Sequence, residues 1–110
     1  MADFYTGDVV FTTDKWHNNG TLRPHLVIKV LDDNRLWVVP FSHNQQGEWS
    51  TDELGGGTYL ATCNLRTGAR NDFVIDPTST SCELGRRQLS DNAITSALAE
   101  VRRVLQAIVR

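Results

Sequence analysis

The segment "PHLVIKVLDDNRLWVVPF", residues 24–41, limits the possible folds more than any other part of the chain. Two apolar runs, 24–31 and 35–41, flank Asp32, Asp33 and Asn34, residue types that favour a turn, so the spacing predicts an antiparallel β-hairpin. Its strands are almost continuously apolar rather than alternating. Both faces must then meet protein, as in a small sheet that curls on itself, and burial should be high. Leu26, Ile28 and Val30 are expected to share one face, and Trp37 is assigned to the core. Pro24 stands at the first strand position, where a missing N–H costs no ladder bond.

Around this hairpin the chain reads as strands first and one helix last. "GDVVFTTD" (7–14) is β-branched and follows a glycine, so it predicts a strand, with "KWHNNGTLR" (15–23) as a polar loop. "TYLATCNL" (58–65) and "RNDFVID" (70–76) predict two more strands, and "SCEL" (81–84) a short last one. The segment between Ser42 and Thr58, "SHNQQGEWSTDELGGGT", has little hydrophobic periodicity, and loops of that length are usually functional or disordered. From Ser90, an N-cap with Asp91 in the first turn, apolar residues recur at Ile94, Leu98, Val101, Leu105 and Ile108. This pattern predicts a long amphipathic helix docked by one face. Strands followed by a terminal helix, without an internal repeat, indicate one α+β domain spanning residues 1–110.

A net charge of −2 supplies no global basic field, so a polyanionic partner would have to be held by a local group of arginines. No apolar run reaches the roughly 20 residues of a membrane span, and the first residues show neither a basic n-region nor an apolar h-region. A cytoplasmic location without membrane association is expected. Cys63 and Cys82 lie far apart with no C-x-x-C spacing, which favours reduced structural thiols over a metal site. No metal or cofactor is assigned.

Arg23 and Ser42 lie just outside the apolar runs of the hairpin. Antiparallel pairing brings the start of the first strand beside the end of the second, so these two residues should be neighbours. A guanidinium beside a hydroxyl can bind a phosphate, one supplying charge and a planar fork of donors, the other a further hydrogen bond. A surface arginine and a strand-ending serine remain the simpler reading of the same residues. Trp16 and Trp49 fall in the two long loops, where they either stack on unpaired bases or pack in the core. His25 and His43 flank the same place in sequence; His43 is an RNA-contact candidate, while alternation turns His25 away from Leu26, so it is either a surface or RNA-contact residue or a packed one. Arg86 and Arg87 precede the helix, where positive charge opposes the helix dipole; they either meet a partner or lie in a solvated turn.

Several of these elements occur in a familiar order. Gly7 to Val10, then a polar loop, then Arg23-Pro24 with an apolar strand, then Val39-Pro40-Phe41-Ser42, and finally "LGRRQLSDNAITSALAEVRRVL" together resemble the MazF/PemK toxin endoribonucleases of type II toxin-antitoxin systems. The resemblance covers nearly the whole chain, although each motif is short. It implies a small, strongly curved antiparallel β-barrel with a C-terminal amphipathic helix, the MazF/CcdB-like plasmid-maintenance toxin fold. It further implies a growth-inhibiting mRNA interferase, a hydrolase of single-stranded RNA that acts without metal, pairs as a homodimer and is neutralised by a cognate antitoxin protein.

Carried over by position, the family's catalytic arginine falls on Arg23 and its threonine or serine on Ser42. The PemK-like branch also implicates a loop histidine, an arginine and an aspartate, which fall on His17, Arg70 and Asp72. The chain departs from the family pattern in three places: "HNNGTLRP" replaces E-Q-x-G-x-R-P, Phe73 stands where glutamine is usual, and Ser42 where threonine is commoner. These departures imply altered specificity or a weakened enzyme. A catalytically inactive relative, or a gyrase-binding toxin of the CcdB kind, is the alternative; the latter's tryptophan-glycine-isoleucine ending is absent from Ile108-Val109-Arg110.

The residue types suit the implied reaction. Cutting RNA without metal requires a base for the 2′-hydroxyl, a cation for the phosphorane and an acid for the departing 5′-oxygen. Arg23 and Arg70 would face the phosphate, where preorganised charge contributes most. Asp72 is a base or proton relay, or else a strand-end carboxylate paired with Arg70. His17 is an acid, a phosphate ligand or a solvated loop histidine. Which group supplies the acid is left open by the sequence.

Overall fold

The computed structural model describes residues 4–12, 22–67, 74–77, 85–87 and 89–108. Seven strands and one α-helix occur among them: β1 (Val9–Thr12), β2 (Arg23–Val30), β3 (Leu36–Ser42), β4 (Ser50–Thr51), β5 (Thr58–Leu60), β6 (Val74–Ile75), β7 (Gly85–Arg87) and α1 (Asp91–Ile108). A six-residue 3-10 helix, Thr62–Thr67, follows β5. The fold is α+β, with one sheet in the order β4-β5-β3-β2-β1-β7 and β6 pairing beside this path with β3.

Every strand pairing is antiparallel. The expected hairpin is present. β2 and β3 pair from His25↔Pro40 to Val30↔Leu36 around the Asp32–Asn34 turn, where Asn34 takes a φ of 67° that asparagine tolerates better than most residues. Leu31 and Arg35 close the turn through a 2.8 Å backbone hydrogen bond.

The expected barrel is not formed. The described strands make an open sheet whose path ends at β4 and β7, two and three residues long, and these ends do not pair with each other. Instead β3 divides its outer edge: Leu36 and Trp37 bond to β6, whereas Phe41 and Ser42 bond to β5. Two other expectations change. The strand predicted for 58–65 stops at Leu60 and turns into the 3-10 helix, and Ser50–Thr51 contributes a short strand inside the segment read as a loop. Of the strand predicted for 70–76, residues 74 and 75 are described as β6, and "SCEL" lies outside the described residues.

Both faces of the sheet are packed, as the continuous apolar pattern required. On one side Val9, Leu26, Val39, Phe41 and Leu60 meet Leu89, Ala97 and Val101 at and along α1. On the other, Val10, Val27, Leu36 and Val38 form a second cluster with Phe4, Val30, Trp37 and Ile75. The expected grouping of Leu26, Ile28 and Val30 breaks at a register shift between Val27 and Lys29. An extra residue on one strand disturbs the two-residue alternation, so Ile28 stays on the helix side while Val30 joins Leu36 opposite.

α1 begins where the sequence placed it, and its cap is shared with another element. Ala93 N–H donates to Ser90 Oγ at 3.2 Å. The Glu53 carboxylate, from the segment between β4 and β5, accepts from Ser90 N–H at 2.7 Å and from Ser90 O–H at 2.8 Å. Glu53 thus performs from a distant segment the task that a glutamate three residues into the helix performs in a capping box. The residues just before β4 are fixed further along α1, where Trp49 Nε1–H donates to Ser96 Oγ at 2.9 Å and Glu48 lies 3.6 Å from Arg103. Gly47 permits the close approach. A Cβ there would fall onto the Leu60 carbonyl oxygen and Thr62 Oγ1.

The two hydrogen bonds from Ser90 hold the Glu53 carboxyl below its usual value of 4.5. A carboxylate whose folded value is depressed contributes stability that is present above the unfolded value and is lost as pH falls through the folded one. Urea melts taken from about pH 6 down to about pH 3 should therefore show a smaller acid loss in Glu53→Gln than in the unaltered protein. Parallel curves for the two proteins would show that this contact carries no pH dependence.

Candidate phosphate site on the sheet face away from the helix

Arg23 is the first residue of β2 and Ser42 the last of β3. His25 pairs with Pro40, and continuing that antiparallel register by two residues sets Arg23 opposite Ser42. The neighbouring ladders extend the row: Thr12 pairs with Arg23, Tyr59 with Ser42, and Ser50 with Tyr59. Directly opposed residues share a face, so Thr12, Arg23, Ser42, Tyr59 and Ser50 form one polar row across five strands. Phe11, Pro24, Phe41 and Leu60 alternate with this row, and Phe11, Phe41 and Leu60 belong to the helix-side packing. The polar row is on the opposite side from α1.

Arg23 is half-buried. Its Nε is shielded from solvent and has no hydrogen-bond partner among the described residues. Buried donors are nearly always paired, and leaving one unpaired costs about 1–3 kcal/mol. Beside it, Ser42 Oγ accepts from Asn44 N–H at 3.0 Å, which fixes the oxygen and leaves the hydroxyl proton able to donate. The two side chains therefore offer charge and hydrogen-bond donors from adjacent strands, a combination suited to an anionic oxygen.

His25 takes the buried one of the two positions that the sequence left open. It is 1% exposed rather than a surface residue, and its Nδ1 lies 2.8 Å from the Arg23 carbonyl oxygen. A carbonyl only accepts, so Nδ1 carries the hydrogen and the imidazole clamps the Arg23 backbone. His43 is exposed immediately after Ser42.

The remaining expected residues divide three ways. Trp49 is not brought to Arg23: its ring packs in the helix-side core, 6.4 Å from the Phe41 ring, with its N–H on Ser96. Arg86 and Arg87 are not in a solvated turn, because their backbone belongs to β7, with Arg86 opposite Val10 and Arg87 opposite Val9. That register sets Arg86 in the row of Val10, His25 and Pro40, two rows from that of Arg23. Trp16, His17, Arg70 and Asp72 lie outside the described residues, as does Cys82. Cys63 is half-buried, and its thiol lies 3.7 Å from Gln46 Oε1.

Sequence reasoning missed Tyr59. It lies in a stretch read correctly as strand, but its place beside Ser42 follows from pairing across the long 43–57 segment, which no local pattern encodes. Among the described residues no helix is long and apolar enough to cross a membrane. Comparison of the chain with protein-family models, with curated proteins and with solved structures returns no match, so the polar row and its chemistry are what a functional reading has to rest on.

Proposed function

We propose that this protein is a metal-independent endoribonuclease that cleaves single-stranded RNA by attack of the 2′-hydroxyl on the adjacent phosphate, and that it acts as the toxin of a type II toxin-antitoxin pair. The observation that carries the reading is the juxtaposition of Arg23, with its shielded and unpartnered Nε, and Ser42 on the face of the sheet away from α1. An arginine kept for structure would be expected to have a carboxylate or carbonyl on that nitrogen. One kept for a ligand lacks such a partner, and because this nitrogen is shielded the side chain has to shift for a phosphate oxygen to reach it.

In this mechanism the Arg23 guanidinium and the Ser42 hydroxyl hold the scissile phosphate. The guanidinium charge becomes more valuable as negative charge grows on the phosphorane, which lowers the barrier rather than merely improving binding. His25 acts through Arg23 by fixing its backbone. Asp72 as base or relay, with Arg70 and His17 as the further groups that the resemblance implies, completes the proposed set, and Arg86, in the row of Val10, and His43 extend the RNA contact, whereas Arg87 pairs with Val9 in a row of the α1 side. The closed MazF/CcdB-like barrel that the resemblance implies is not part of this reading; an open sheet with the same hairpin, loop and helix order serves the chemistry.

Incubating the purified protein with mixed single-stranded RNA in the presence of a chelator should give discrete fragments. Intact RNA under those conditions would remove the enzyme reading and leave a binding protein. The proposal includes a homodimer in the cytoplasm and an antitoxin that covers the arginine-lined face. A 110-residue domain gains stability by burying more apolar surface, and a groove lined by Ile28, Leu98, Val101 and Leu105 runs beside α1. Light scattering at micromolar concentration is expected to give twice the chain mass; the chain mass alone would contradict the dimer.

A further inference from the structure

We infer that Tyr59 is the stacking platform for an unpaired base next to the reacting phosphate, and so a determinant of which RNA word is cut; this rests on the endoribonuclease reading above. Tyr59 is the direct cross-strand partner of Ser42, and Ser42 in turn stands opposite Arg23 in the continued register. All three share one face of the sheet. Neighbouring strands lie about 4.8 Å apart, so the Tyr59 ring rises one strand spacing from the serine and about two from the arginine. A nucleotide whose phosphate is held by Arg23 and Ser42 has its base within reach of that ring.

Three observations favour a ligand role over a packing one. Tyr59 is half-buried, whereas Leu60, next to it, is fully buried in the helix-side core. The Tyr59 ring is absent from both apolar clusters of the sheet. Its hydroxyl has no hydrogen-bond partner among the described residues. Of the two tryptophans read as either stacking or packing residues, Trp49 packs against Phe41 and bonds to Ser96 on the other face, and Trp16 lies outside the described residues. An aromatic face beside a cationic phosphate site is the usual means of holding single-stranded nucleic acid, because every base has a π-face and stacking tolerates sequence. Since the base is bound about equally before and during reaction, the ring should act mainly on binding and on base choice.

The test compares Tyr59→Ala, Tyr59→Leu and Tyr59→Phe with the unaltered protein in two measurements, after circular dichroism has established that each variant is folded. The first is affinity for a single-stranded oligonucleotide carrying 2′-deoxyribose at the cleaved position, which binds but cannot react. The second is steady-state cleavage with sequencing of the ends. Tyr59→Ala and Tyr59→Leu should weaken binding by roughly 10- to 100-fold, the scale of losing one base–aromatic stack. They should raise KM with kcat within about threefold, and broaden the base preference beside the cut. Tyr59→Phe should stay within about twofold of the unaltered protein, because the ring is kept. Unchanged affinity and unchanged base preference in Tyr59→Leu would overturn the inference while leaving the endoribonuclease intact. Loss in Tyr59→Phe as large as in Tyr59→Leu would overturn it too, by assigning the role to the hydroxyl. Failure of the unaltered protein to bind or cut RNA would overturn the endoribonuclease reading, and the platform with it.

Discussion

Replacing Arg23 by alanine is expected to lower the rate of RNA cleavage by roughly 100-fold or more, the scale seen when a preorganised charge stabiliser is removed. The loss should appear in kcat, since the guanidinium interacts most strongly with the charge that develops on the phosphorane. Stability should hardly change. The Arg23 Nε is buried without a partner among the described residues, so removing the side chain gives up no hydrogen bond from that nitrogen and relieves an unsatisfied donor. A melting temperature equal to or slightly above that of the unaltered protein is the expected result. Arg23→Lys should restore only part of the activity, because an ammonium keeps the charge but loses the planar fork. Arg35→Ala is the matching control. Arg35 stands at the turn end of the same hairpin, half-exposed, with its Nε 2.6 Å from Asp33, and an exposed pair of that kind contributes little. If Arg23→Ala melts well below the unaltered protein while its folded fraction keeps full activity, Arg23 is structural and the site assignment fails.

The opposite pattern is expected three residues further along the same strand. Leu26 is fully buried, opposite Val9 on one side and Val39 on the other, in the cluster that receives Ala97 and Val101 of α1. Leu26→Ala leaves a cavity between sheet and helix that tightly packed neighbours cannot fill, and such truncations cost about 2–5 kcal/mol. Against the roughly 5–15 kcal/mol by which domains of this size are usually stable, that is a large share. Urea unfolding should show the drop directly, with the activity of whatever protein remains folded nearly unchanged. A loss under about 1 kcal/mol would mean that the helix does not close over this position as described. Together Arg23 and Leu26 separate function from stability within one strand, because alternation turns one residue to the polar row and the other to the helix-side core.

Local pattern explains why some of this was legible in the sequence and some was not. The β2–β3 hairpin could be read because its turn is three residues long and its strands announce burial on both faces. The neighbourhood of Arg23 and Ser42 followed from that hairpin alone. α1 could be read because its cap and its apolar spacing are both local. Four features could not be. The shift at Ile28, which moves Val30 to the other cluster, depends on packing rather than composition. The pairing of β3 with β5, which brings Tyr59 beside Ser42, spans the 43–57 segment. The use of Glu53 as a cap for α1 joins residues 37 positions apart. Closure of the sheet depends on its outermost strands, and those described do not pair with each other; the barrel expectation followed from the family likeness, not from any strand pairing that the sequence itself displays.

The central claim is that the Arg23–Ser42 row serves cleavage by the RNA's own 2′-hydroxyl, and the chemistry of the product ends tests it most directly. Mass spectrometry of fragments made in chelator should find 2′,3′-cyclic phosphate on one side of each cut and 5′-hydroxyl on the other, with both missing from a parallel reaction of Arg23→Ala. Fragments bearing 5′-phosphate, or cleavage that the chelator abolishes, would contradict the account.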